Sequence, residues 1–192
     1  MTSQKSQNKI TLLGLMREDL KHRRWMLVLS SFVQLLFGPV AALMKFSNVE
    51  AQSFYYYGDE ALASRQKAMQ YAVEQMTGSY LPVIMIVIAI VGALIVGIGG
   101  YRHLFNRRMT DMVNSVPVTR GKQFDSIYYN NWLIWFVPQL VSTILTIGIM
   151  LVRAASYGFG PAIFKSAFFI LIGSALCFGC MLNLVVLAVV LS

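Results

Sequence analysis

Four long apolar runs limit this chain to one kind of architecture. From Trp25 to Met44 and from Leu81 to Gly100 there are twenty residues each without a charge, and the run from Trp132 to Val152 is equally free of charge. At 1.5 Å per residue, about twenty helical residues cover the roughly 30 Å of hydrocarbon in a bilayer. A fourth run, residues 164–190, carries Lys165 alone, near its start. The expected fold is therefore all-α, a polytopic transmembrane helical bundle of about four spans: 25–44, 81–100, 132–152 and 164–190. Residues 1–24 precede the transmembrane domain 25–192 as a polar tail and an interfacial helix. Leu12, Leu13, Met16 and Leu20 of that helix share one side, and Arg17, Glu18 and Lys21 lie away from it.

Composition agrees with a bilayer rather than water, being 57% hydrophobic and 12% charged, with a mean hydropathy of +0.62. A net charge of +8 is compatible with nucleic-acid binding, yet the cations flank apolar spans and form no separate basic stripe with interleaved aromatics. No nucleic-acid partner is expected; contact with membrane lipids is. Eleven of the lysines and arginines fall before the first span or in residues 101–127, against five elsewhere, namely Lys45, Arg65, Lys67, Arg153 and Lys165. By the positive-inside rule, the N-terminus and the 101–127 loop are cytoplasmic, and residues 45–79 form an extracytoplasmic loop of a multi-pass plasma-membrane protein. Within that loop, Asp59 can cap a helix running through Met76, and Tyr55, Tyr56 and Tyr57 lie in its other half.

Polar groups inside the spans are few. Gln34 is the amide of the first span, near Pro39, which is placed to kink it, and Asn183 is the amide of the last. Gln139, Ser142, Thr143 and Thr146 recur at helical spacing after Pro138, giving one polar face that either lines a transport pathway or bonds a neighbouring helix. Gly92, Gly97, Gly99 and Gly100 concentrate in one half of the second span, where they allow close helix crossing. Cys177 and Cys180 have no histidine or carboxylate beside them, so helix packing accounts for them and no metal is expected. His22 and His103 sit among basic residues and read as solvated surface.

Residues 101–124 are the long polar passage enclosed by spans on both sides. Leu104, Phe105, Met109, Met112, Val113 and Val116 fall on one side of a helix, with Arg107, Arg108, Asp111 and Asn114 on the other. Pro117 ends that helix near Ser115. Pattern alone leaves a basic loop on anionic headgroups as one reading. The order Arg107, Arg108, Asp111, Ser115, Val116, Pro117, Val118, Thr119, Arg120, Phe124 is more specific. It resembles a signature, roughly R-x-x-D-x-x-x-S-[LV]-P-[IV]-[TS]-R-x-x-x-F, of the membrane (permease) subunits of bacterial type-2 ABC exporters. Arg17, Asp19, Leu20, Lys21, Arg24 and Trp25 resemble the leading helix of that family less distinctively.

The resemblance implies that residues 101–127 hold a coupling helix that docks on a separate ATP-binding subunit. Arg107, Arg108, Met109, Asp111, Met112, Val113, Ser115, Pro117 and Arg120 would form the docking surface. A second permease subunit, the same or homologous, is implied as well. Members of the family usually carry six or more spans, so the likeness covers an N-terminal part, and further spans are expected after Ser192. No G-x-x-x-x-G-K-[ST] loop is present, so the chain is expected to be no enzyme and to bind no cofactor, ATP being held by the partner. No Asp, Glu, Lys or Arg lies in mid-span, which disfavours a proton-coupled carrier. The competing class is a non-transporting assembly or sensor protein whose basic loop binds anionic lipid. Gln34, Gln139, Ser142, Thr143, Thr146 and Asn183 are the candidates for a pathway or helix-packing face. The transported substrate is not legible.

Overall fold

The amphipathic opening stretch forms helix α1 (Leu12–His22), and a single turn residue, Arg23, separates it from α2 (Arg24–Leu35). The computed structural model describes residues 12–53, 59–101, 119–154 and 160–191. Pro39 then makes itself felt. It has no N–H to continue the α-helical ladder, and over Leu36–Val40 the helix widens into a π turn, with the Ala41 N–H reaching back to the Leu36 carbonyl. The helix is not broken: α3 (Ala41–Ser53) continues it at once. A second rod has the same design, α4 (Asp59–Gln75) passing through a π turn at Met76–Tyr80 into α5 (Leu81–Tyr101). The remaining elements are α6 (Arg120–Ala154) and α7 (Gly160–Leu191).

Among the described residues everything but Arg23 and Thr119 is helical, there is no strand, and the fold is an all-α helical bundle. Four helical stretches are long and apolar enough to cross a membrane: Arg24–Ala51, Ala63–Tyr101, Gly121–Arg153 and Gly160–Val189. Large apolar side chains such as Phe32, Val83, Ile144 and Phe168 stand exposed, one on each rod. A soluble protein avoids so much exposed apolar surface, whereas lipid accepts it. These features fit a multi-pass membrane protein.

The rods overrun the apolar runs that the sequence marks. The first continues from Met44 to Ser53, and most of residues 45–79 is helical, including Gly78 and Ser79. Helix α6 begins at Arg120, a full three turns before Trp132. Hydropathy marks where a helix is greasy. The hydrogen-bond ladder, which is indifferent to that property, carries on until something stops it.

Two kinds of packing hold the rods together. α5 and α7 make the closest union, because Ala89, Ala93 and Gly97 recur every four residues along α5 and let the backbones approach. A Cβ at Gly97 would stand 2.9 Å from Val185 Cγ1. Opposite Ala89 and Ala93 lie Phe178 and Leu182, and Trp135 stacks on Phe178 with ring centroids 4.5 Å apart. Towards the other end, near Glu50, the core is built from Phe46, Met69, Val73, Met76, Met85, Met150 and Ile163. Methionine's flexible thioether fills irregular gaps, and here it fills the space where α3, α4 and the Met76–Tyr80 π turn meet the other rods.

Candidate functional site

The described polar interior has two centres, one at the end of the bundle marked by Arg23 and one about halfway along the rods. At the first, Arg23 and Asp19 are one helical turn apart, so the guanidinium and carboxylate meet on the same side of the α1–α2 elbow. Arg23 Nε donates to both Asp19 oxygens at 3.1 Å, and Arg23 Nη2 also donates to Asp19 Oδ2. Arg23 Nη1 donates to Asn131 Oδ1 at 2.6 Å. Asn130 Nδ2 reaches the same carboxylate at 2.7 Å and the Met16 carbonyl at 2.8 Å. Arg23, Asn130 and Asn131 are all buried. The result ties α1 to α6 with a neutralised pair and two amides rather than with grease, and so fixes one orientation.

Gly100 is the reason α5 can pass this knot. A Cβ there would lie 2.8 Å from both Arg23 Nη1 and Asn131 Oδ1. On the outer side of α1, Lys21 bonds Glu18 at 2.5 Å, and that hydrogen bond and the ammonium charge hold the Glu18 carboxyl below its usual range.

The second centre is made by the π turn. In π spacing the carbonyl that Pro39 would have served is that of Gln34, five residues back. Ser142 Oγ donates to that carbonyl at 2.7 Å, so α6 supplies the bond that proline cannot. Gly38 makes room for it: a Cβ there would sit 2.4 Å from Ser142 Oγ and 3.1 Å from Thr146 Oγ1. Gln34 closes the contact in the other direction, its Nε2 donating to the Trp135 carbonyl at 3.2 Å and to Ser30 Oγ at 3.2 Å. A backbone carbonyl only accepts, so the amide nitrogen faces α6 and Oε1 faces away. Gln34 Oε1, Trp135 Nε1 and both side-chain polar atoms of Gln139 are buried without a hydrogen-bond partner.

The structure thus brings Gln34, Ser142 and Thr146 together, with Gln139 one turn from Ser142 on the same buried face of α6. Thr143 lies on the flank, half-buried, and turns its hydroxyl back to the Gln139 carbonyl at 2.8 Å. Asn183 does not join them: it is exposed on α7 and accepts from Tyr128 Oη at 3.2 Å. Arg107, Arg108, Met109, Asp111, Met112, Val113, Ser115 and Pro117 lie outside the described residues, and Arg120 is described only as the first residue of α6. Arg23, Asn130 and Asn131 stand at the edges of apolar runs, where composition suggests an interface rather than the interior that the structure gives them. The four-residue spacing of Asp19 and Arg23 was the available signal.

Chemically, both centres offer hydrogen-bond donors and acceptors, not nucleophiles. Among the described residues, no group of three His, Cys, Asp or Glu side chains is placed to hold a metal ion. Comparison of the chain with protein-family models, with curated proteins and with solved structures finds no match.

Proposed function

We propose that this chain is a permease subunit of an ATP-driven exporter, lying in the cell membrane with its N-terminus in the cytoplasm and working with a second permease subunit. Nucleotide turnover takes place on a separate ATP-binding subunit, which docks on residues 101–127. The observation that carries this reading is where that passage leaves and re-enters the bundle. It departs from α5 at Tyr101 and returns into α6 at Arg120, and both helices meet the Arg23 knot, through Gly100 and through Asn130 and Asn131. Force applied to the loop would reach α5, α6 and α1 together and tilt them as a unit. Arg107, Arg108 and Arg120 steer the loop to an acidic partner surface, and Met109, Met112 and Val113 supply apolar contact.

Charge reversal of Arg107 and Arg108 tests the docking. Membrane insertion should be unchanged, while copurification of the ATP-binding subunit and ATP-dependent export should both fall by at least about tenfold, the scale of losing buried charged contacts. A variant that keeps its partner and its transport would overturn the assignment. A chain that binds anionic vesicles through the loop with no ATPase partner would instead support the lipid-reading alternative.

A further inference from the structure

Between α2 and α5 runs a groove of about 450 Å³, lined on one side from Met26 to Phe37 and on the other by α5 residues from Val87 to Val96. Its walls are apolar, as expected of a surface facing lipid chains. Its floor is closed by Ser30, Gln34 and Trp135, and the polar atoms of the last two lie just beneath the apolar surface. Gln34 and Trp135 are each only 1% exposed. They are the residues that carry one unsatisfied acceptor, Gln34 Oε1, and one unsatisfied donor, Trp135 Nε1. The indole nitrogen lies beside α5, 3.6 Å from where a Cβ on Gly92 would be, and Gly92 is itself part of the lining. The Gln34 amide cannot reverse to hide its oxygen, since its nitrogen already serves the Trp135 carbonyl.

We propose that this groove binds a long-chain acyl lipid carrying a hydroxyl midway along its chain. A hydroxyl accepts from an indole N–H and donates to an amide oxygen, so one group satisfies both atoms. Depth selects its position on the chain. Gln34 lies ten residues beyond Arg24, about 15 Å at 1.5 Å per residue, where an ordinary acyl chain presents only methylenes. The carboxyl end then lies towards the Met26 end of the groove, and the exposed Arg24 stands two residues before Met26 on the same helix. Both polar atoms are covered in the structure, so binding requires the Trp135 indole to shift from its stack on Phe178 towards the groove. An acyl chain lacking the hydroxyl fills the same space but leaves the two buried groups unpaired, the situation in which a site discriminates most strongly. The inference is independent of whether ATP drives the chain.

The test uses the full chain in phosphatidylcholine nanodiscs with Trp25→Phe and Trp132→Phe, so that Trp135 alone reports. Ricinoleic acid and oleic acid differ by the mid-chain hydroxyl and serve as the probes. Ricinoleic acid should shift Trp135 emission saturably and bind at least about tenfold more tightly than oleic acid, as expected for pairing two buried groups. Gln34→Leu should reduce that preference to less than about threefold while oleic acid binding is retained. Equal binding of the two acids, no saturable effect from either, or a groove closed by a second copy in Val91→Cys cross-linking would each overturn the proposal. Should the tryptophan variants fail to fold, retention of radiolabelled acids by the wild-type chain and by Gln34→Leu makes the same comparison.

Discussion

The two ends of the bundle are held by opposite means. At the Arg23 end a buried cation, a carboxylate and two carboxamides from α1 and α6 lock one arrangement through directed bonds. At the Glu50 end, α3, α4, α6 and α7 meet over methionines and a phenylalanine, and the Arg153–Glu50 ion pair there is exposed. Directed bonds tolerate one geometry, and thioethers tolerate many. The comparison predicts that the Arg23 end resists rearrangement and that the Glu50 end accommodates it.

The comparison breaks first at Arg23. Arg23→Leu leaves Asp19 and Asn131 without their cation and should cost about 3 kcal/mol, the scale of breaking a buried pair by removing one partner. Thermal unfolding in nanodiscs checks this, with limited proteolysis to show α1 released; a melt unchanged within error would mean that the knot fixes nothing. Next is the π turn. Gly38→Ala places a methyl group against Ser142 Oγ and should destabilise by about 2 kcal/mol, and combining it with Ser142→Ala should recover part of that loss. Strict additivity of the two changes would show that the clash is relieved elsewhere.

Smaller effects sharpen the contrast at the other end. Met76→Leu, in the methionine cluster, should cost less than about 1.5 kcal/mol, since the side chains are close in volume and the neighbours can adapt. A larger loss by the same melt would make that core as exacting as the Arg23 knot. Arg153→Gln should matter least, at most about 1 kcal/mol and less in high salt, because its pair with Glu50 is open to solvent. Melting the variant at low and high ionic strength separates that screened contribution from any packing role.

What the sequence revealed follows the same divide. The existence of four apolar rods and the shared polar face of Gln139, Ser142 and Thr146 could be read directly, since each rests on periodicity within one helix. The partner of that face could not. Ser142 meets Gln34 across more than a hundred residues, because Pro39 frees a carbonyl that only tertiary structure can serve. Asn130 and Asn131, beside tyrosines at the edge of a span, have the composition of an interface, and only the position of α1 shows them to be interior. Asn183 illustrates the converse: a lone amide in a span reads as inward-facing, yet it finds a bond with Tyr128 while remaining exposed.

The uninterrupted length of α6 has a mechanical corollary. Its 35 residues make a shaft about 52 Å long, against a hydrocarbon slab of roughly 30 Å, so some 20 Å of it stands proud of the slab. Pivoted at its midpoint, close to the Ser142 contact, a tilt of about 10° sweeps each tip through about 4–5 Å, nearly a helical turn. On the proposed reading such a shaft would act as a lever, turning a slight rocking at its fulcrum into a wide stroke at its tips.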